Sequence, residues 1–486
     1  MRVLILAPNR QRFVHPVPPI GALYIAAAAR RAGHEVRVTD LMYSADPIAS
    51  VKRSLAEFQP EVVGISIRNT DTLFSKDIYE IPQIKLYADA VRELTTAKLI
   101  LGGAGYSFFA EELAGDLEAD YGIKGEADRS FPKLLGCIAA GTDPASIAGL
   151  VYRKNGAFVS NPPDRVEDLD SIPFQAMDLI DGRAYSKCRA NLGVFTRKGC
   201  PMDCIFCPED QIHGHAVRLR SARLVVDEIE YLSDLTGVRY FDFADTLFNM
   251  PREHALAVCH EIIDRRVKIK FEVELNPLGQ DDESVKLLKA AGCMGVDLTS
   301  DTGSETMLKN LRKGFTKELV MRAAGLYRKH GIPYTVGFLL GGPGENRSTV
   351  KETLDFIDAL PGCSGVYMGV GIRVFKGTGL APIFASEYGE KAEAGMHHPS
   401  FYVSPEFDGA APLLIDYYKR NLGCYISDFL YEGAQLKAMK MADWMNIRPI
   451  WKHGKTPRII DLLMHLGKTP DIAWDKKDRR FRIAAA

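Results

Sequence analysis

Through the first 145 residues, short apolar runs alternate with helical patterns, and this restricts the segment to a parallel sheet with helices on both faces. Val3 to Ala7, Val36 to Thr39, Val62 to Ile67 and Leu99 to Gly102 read as strands, because a strand covered on both faces is apolar throughout rather than alternating. Between the first two, Ile20 to Arg31 has helical spacing and is stopped by Gly33. A doubly wound α/β domain of this kind binds ligands beyond the carboxyl ends of its strands. Here those are Pro8 to Arg12, Arg68 to Thr72 and Gly102 to Ser107. Gly102, Gly103 and Gly105 would let a bulky ligand come close to the backbone, although a plain turn into a helix explains them equally well.

Residues 146–190 read as a linker. Val151 to Val159 is two short runs around Asn155-Gly156, a hairpin signal, and Asn161-Pro-Pro163 ends the pattern. The alternation then resumes over 191–385 with six strand candidates: Leu192 to Thr196, Tyr240 to Asp245, Lys270 to Asn276, Gly295 to Ser300, Tyr334 to Gly341 and Gly365 to Arg373. Six βα units predict a partial (βα)6 barrel. Polar residues gather at the carboxyl ends of these strands, where barrel enzymes place their chemistry: Asp242, Asp245 and Thr246, Glu272, Glu274 and Asn276, Thr299, Ser300 and Asp301, and Arg373. Any one of them is as readily a cap or a solvated loop residue, so the weight lies in the set. Residues 386–486 carry helical spacing at Leu413 to Tyr418 and Ile459 to Leu466 and many aromatics, among them Phe401, Tyr402, Tyr417, Tyr418, Tyr425, Trp444 and Trp451. A mainly helical cap over the barrel mouth is expected there, followed by a solvated basic tail, Lys476 to Arg482.

The loop after the first barrel strand, Lys198-Gly-Cys-Pro-Met-Asp-Cys-Ile-Phe-Cys-Pro208, places Cys200, Cys204 and Cys207 together. Three thiolates can hold a cluster of four irons and leave one iron open, with Gly199 and Pro201 favouring the bend that aims the sulfurs inward. A structural zinc site is the plain alternative. It needs a fourth Cys or His, no second cysteine pair follows, and His213 and His215 are the nearest side chains of that kind. Cys137, Cys188, Cys259, Cys293, Cys363 and Cys424 are scattered, as small core residues are.

Composition excludes more than it identifies. A chain of 486 residues with 46% hydrophobic content can bury cores for roughly three domains. A net charge of -1 gives no reason to expect a nucleic-acid surface or an acidic membrane as partner. The apolar run at Met1 to Pro8 is too short for a signal peptide, and no uncharged stretch is long enough to span a bilayer. A reduced, cytoplasmic setting is expected, since a thiolate site would be at risk elsewhere.

Taken together, the cysteine spacing and the preceding α/β domain resemble the cobalamin-dependent class of radical S-adenosylmethionine (SAM) enzymes. Further strings carry the resemblance over roughly residues 1–385: Gly125-Glu-Ala-Asp128, Phe241 to Asn249, Asp297 to Glu305, Val336 to Glu345 and Ile372 to Gly379. The resemblance implies a [4Fe-4S] cluster on Cys200, Cys204 and Cys207, SAM chelated at the open iron and cleaved by one electron to a 5'-deoxyadenosyl radical, and cobalamin in the first domain. By the same resemblance, Asp245 and Thr246 lie where the methionyl amine is contacted, and Glu274, Ser300 and Asp301 where the ribose and carboxylate are. Val336 to Phe338, with Val336 and Phe338 as the named contacts, lie beside the adenine. The first domain lacks the Asp-x-His-x-x-Gly string of many cobalamin modules, so a histidine ligand to cobalt is not expected. Arg68 or Asn69 would cover the lower cobalt face instead, with Gly102, Gly103 and Gly105 beside the ring.

The function so implied is methylation of an unactivated carbon of a small molecule or peptide, with electrons from a donor such as flavodoxin or ferredoxin. Radical cyclisation or rearrangement without net methylation is the alternative, and a non-enzymatic cobalamin sensor is the third reading. No residue identifies the substrate, the hydrogen-abstraction site or a catalytic base.

Overall fold

The computed structural model describes residues 1–12, 16–72, 78–188, 190–389, 396–421, 424–426 and 472–483. Its first sheet is built from β1 (Arg2–Ala7), β2 (Glu35–Asp40), β3 (Val62–Ser66), β4 (Lys98–Gly102), β5 (Tyr121–Ile123), β6 (Leu150–Lys154) and β7 (Ala157–Ser160), in the order β2-β1-β3-β4-β5-β6-β7. The first five strands are parallel and the last two antiparallel. Val3 to Ala7 are all buried, and helix α1 (Ile20–Arg31) covers one face through its run of small residues, Ala26 to Ala29. The strand order reverses between β1 and β3, which opens a crevice at their carboxyl ends.

The hairpin expected within the linker forms around Asn155-Gly156, both in left-handed conformation, but it is not a free connector. Its first strand pairs with β5, so the first sheet runs on to residue 160 and the three-residue β5 is not left as an open edge.

The second sheet contains Leu192–Val194, Tyr240–Phe243, Lys270–Leu275, Cys293–Asp301, Tyr334–Leu340 and Gly365–Val370, neighbours in chain order and all parallel. These are the six strands of the expected partial barrel. A seventh, Cys424–Ile426, pairs with Gly365–Val370 from within the region expected to be a helical cap. The helix Ala411–Arg420 before it packs on the flanking helix Arg347–Ala359. The basic tail is also corrected. Ile472–Asp475 and Arg480–Ile483 form an antiparallel ribbon in which Trp474 packs on Phe407 and Phe481 and donates to Asp408 (2.7 Å), so the apolar alternation outweighs the charges. Ile459 to Leu466, Trp444 and Trp451 lie outside the described residues. Of the scattered cysteines, Cys259, Cys293 and Cys424 are buried, Cys137 and Cys363 half-buried, and Cys188 exposed. No described helix is long and apolar enough to cross a membrane.

Pleating divides each strand of the second sheet into two faces. Phe241, Phe243, Val273, Leu275, Val296, Leu298, Val336, Phe338 and Met368 belong to the buried apolar core beneath the helices. Their alternates, among them Asp242, Glu274, Asn276, Thr299 and Asp301, line cavities at the mouth.

Buried polar groups join the halves of the chain. Glu228 accepts from Tyr24 of α1 (2.9 Å), from the Gln175 backbone (2.8 Å) and from Arg220, which is fully buried between the rings of Phe174 and Phe195. Arg373, expected at the barrel mouth, instead pairs with buried Asp71 of the first domain (2.9 Å) and lies over Phe109 and Phe375. Removing one member of such a pair strands a buried charge. Glu228→Ala is expected to cost about 3–5 kcal/mol in denaturant unfolding. A loss below about 1 kcal/mol would show that the network is solvated.

The loop after Tyr334–Leu340 is closed by Glu345, fully buried, which accepts from the Gly341 and Gly342 amides. Burial pushes its carboxyl up to about 7, against the two amide bonds that favour the ionised form. An acid raised in the folded state costs stability once the unfolded chain ionises. The wild type should therefore lose stability between pH 4.5, the ordinary carboxyl value, and about pH 7, and no further above that. Glu345→Gln keeps the acceptor without the charge. Thermal melts across this range should show that fall in the wild type and not in the variant; parallel profiles would contradict a neutral carboxyl.

Candidate active site: two cavities with a common wall

The larger cavity, about 410 Å³, lies at the crevice of the first sheet. It is bordered by Ala7 and Asn9 after β1, Ser66 and Arg68 after β3, Gly103 and Ala104 after β4, and Gly125 to Asp128 after β5, with Gly193, Asp242 and Ala244 of the second sheet opposite. Gly103 has a φ of +107°, and a Cβ there would stand 2.4 Å from the Ile67 carbonyl oxygen. Gly105 donates its N–H to the Arg68 carbonyl (2.9 Å). These glycines permit a close approach of two loops, which fixes where Arg68 projects, and Gly103 also borders the cavity. Arg68 lines the cavity, with Asp242 as a nearby opposite charge. Asn69, Gly102 and Gly105 are not among the residues that line it.

The smaller cavity, about 250 Å³, is bordered by Cys200, Cys204 and Cys207 on one side and by Glu274, Asn276, Thr299 and Asp301 on the other, with Gly377 to Gly379 also at its edge. The cysteine loop is tightly constrained. Gly199 has a φ of +93°, a Cβ there would stand 2.1 Å from the Ala216 oxygen, and the Cys200 amide donates to the Gly214 carbonyl (2.9 Å). Burial raises all three thiols, Cys207 to about 12, while Arg197 near Cys200 and Lys313 near Cys204 oppose it. Binding a metal would therefore displace protons. Among the described residues, no three His, Cys, Asp or Glu side chains converge as a single ion requires. His213 is turned away towards Glu126 (2.8 Å), and His215 is half exposed, its Nδ1 at 3.2 Å from the Cys200 carbonyl oxygen, so neither completes a zinc site. Three thiols bordering a cavity suit a cluster.

Several expected contacts are relocated. Asp245 borders neither cavity: its carboxylate accepts from the Thr196 amide (2.7 Å), the Thr196 hydroxyl (2.6 Å) and the Arg197 amide (3.2 Å), and so holds the entry to the cysteine loop. Thr246 does border both. Ser300 is fully buried and donates to the Thr302 carbonyl (2.9 Å), on the outer side of its strand. Val336 and Phe338 are core residues; Gly337 between them is the accessible position, with open space where a side chain would be. Glu274 opens onto the cavity as expected, and enclosure followed by the charges of Asp297, Asp301 and Asp242 shifts its carboxyl upward. Asp301, in left-handed conformation at +63°, is paired with Lys313.

Two residues not singled out from the sequence complete the arrangement. Glu209, two positions after Cys207, accepts from the Thr246 hydroxyl (3.0 Å), and this pair borders both cavities. Lys313 is buried beside Cys204. The Cys-Pro-Glu order flagged Glu209 only by proximity, and nothing periodic marked Lys313.

A family model described as a B12 binding domain matches residues 9–135, and one described as the radical SAM superfamily matches residues 194–357. The chain is 25% identical over 368 residues to an uncharacterized methyltransferase of Pyrococcus horikoshii, covering 74% of this chain and 78% of that protein. It is 26% identical over 451 residues to a tryptophan 2-C-methyltransferase of Streptomyces laurentii, covering 79% and 74%. The solved structure of the radical SAM methyltransferase TsrM from Kitasatospora setae, with tryptophan and a SAM analog bound, matches with a TM-score of 0.83 at 24% identity, over 94% of this chain and 98% of that one. That likeness is one of fold. On these two successive family matches, with a cavity at the strand ends of each, the chain carries a B12 binding domain ahead of a radical SAM domain.

Proposed function

We propose that this protein is a cobalamin-dependent radical SAM methyltransferase acting on a carbon of a small molecule. The observation that carries this reading is the common wall: the cavity of the B12 binding domain and the cavity beside the three cysteines meet at Glu209 and Thr246. Reactive centres held in the two would face one substrate. When bound, the cofactors would supply reductive activation of SAM and a methyl group carried on cobalt.

The chain's own residues hold and orient. Cys200, Cys204 and Cys207 would ligate the cluster. Thr246, Glu274, Asn276 and Thr299 offer hydrogen-bonding groups to the amine, ribose and carboxylate of SAM, and the bare backbone at Gly337 admits a flat base. Arg68 would help to hold cobalamin in the larger cavity and place a cation against it. The names of related methyltransferases support methylation, and low-potential electrons would come from a donor such as flavodoxin or ferredoxin in the reduced cytoplasm.

Anaerobic reconstitution with iron, sulfide and cobalamin reduced to the cob(I) state, followed by SAM labelled in its methyl group, tests the methyl-carrying step without knowledge of the substrate. Label should appear on cobalamin with release of S-adenosylhomocysteine, and a substrate then supplied should gain one methylene unit in mass. Cofactor-loaded protein that moves no label would contradict it.

A further inference from the structure

Lys313 borders the cavity that Cys200, Cys204 and Cys207 also line and is 6% exposed, in a position where an ammonium is costly. Its Nζ is paired with Asp301 and lies 5.6 Å from the ring centres of Phe206 and Phe315. An ammonium buried alone would shed its proton. Here the carboxylate of Asp301, paired with the ammonium in the same cavity wall, supplies the opposite charge that a buried cation needs. Arg197, near Cys200, is turned elsewhere, with Nη1 donating to the Leu247 carbonyl (2.5 Å), and Arg312 at the cavity edge is exposed and paired with Asp203 (3.2 Å).

We propose that Lys313 sets the reduction potential of the iron-sulfur cluster through the field of its buried ammonium in the wall shared with the cysteines, with Asp301 as the opposing charge that limits the effect. This rests on the assignment of the three cysteines as cluster ligands. The step concerned is the uptake of one electron by a [4Fe-4S]2+ cluster to give [4Fe-4S]+, from a low-potential reductant and with no bond made or broken. Each reduction adds a negative charge beside Cys204. A fixed cation in the wall of the cysteine cavity favours the reduced state, because charge around the sulfurs is among what moves such potentials. Asp301, which borders the same cavity, acts in the opposite sense.

The test is a redox titration followed by electron paramagnetic resonance on the reconstituted protein without SAM, with dithionite as reductant. Lys313→Met should lower the midpoint by at least a tenfold change in the reduction equilibrium, about 59 mV for one electron. Lys313→Arg, which keeps the charge, should recover most of that change, and Asp301→Asn should move the midpoint upward. Iron content and cluster absorbance establish that each variant is loaded. If Lys313→Met takes up no cluster, Asp301→Asn decides the sign, and a midpoint that is unchanged or lower overturns the inference. Loaded variants that all share the wild-type midpoint overturn it as well. A wild-type chain that binds no cluster at all refutes the cysteine assignment, and this inference with it.

Discussion

The carboxylate of Glu126 is the contact on which the two domains depend for their register. It rises from the loop after β5, is completely buried, and accepts from the Val166 amide (2.8 Å), from both terminal nitrogens of Arg218 (2.9 and 2.6 Å) and from His213 if that nitrogen carries the proton (2.8 Å). Despite burial, these partners hold it far below the ordinary carboxylate range. His213 belongs to the segment whose next residue, Gly214, accepts the Cys200 amide. One carboxylate thus ties the B12 binding domain to the far side of the cysteine loop. Lys198, at the start of that loop, adds a pair with Asp128 (3.0 Å). The short Gly-Glu-Ala-Asp string, without a role when read as sequence, supplies both anions.

This registration explains why the two cavities meet. In each domain the parallel strands force ligands to the carboxyl ends, and a covalent linker alone would leave those ends free to face anywhere. Glu126, the Asp71–Arg373 pair and the Tyr24–Glu228–Arg220 network are three buried ties between the first domain and the second. Each is costly to form and costly to break by halves, so together they favour one relative placement. The Glu209–Thr246 pair is then the partition between the two cavities.

The fold was largely legible because periodicity carries it: β1 to β4 and six barrel strands fall where the apolar runs lie. The three-residue strands β5 and Cys424–Ile426 were not legible, since so short a segment has no period and is defined by its neighbours. At the site, the cysteines are local and were readable, whereas side-chain direction depends on strand register. Ser300 and Asp301 are adjacent in sequence yet point to opposite faces, as do Phe338 and Gly337. Asp245 has the chemistry of a ligand contact, but its oxygens are spent on backbone amides that only the folded loop presents. Glu126 comes from a loop distant in sequence from Val166, His213 and Arg218, as Lys313 does from Phe206.

The central claim is that both cofactors sit in one chain on either side of a single wall. Pulsed electron paramagnetic resonance on protein loaded with cob(II)alamin and reduced cluster measures this directly. A strong magnetic coupling between the two spins, lost when Cys204→Ala removes the cluster, is the predicted result. Two unperturbed signals from a fully loaded chain would contradict it.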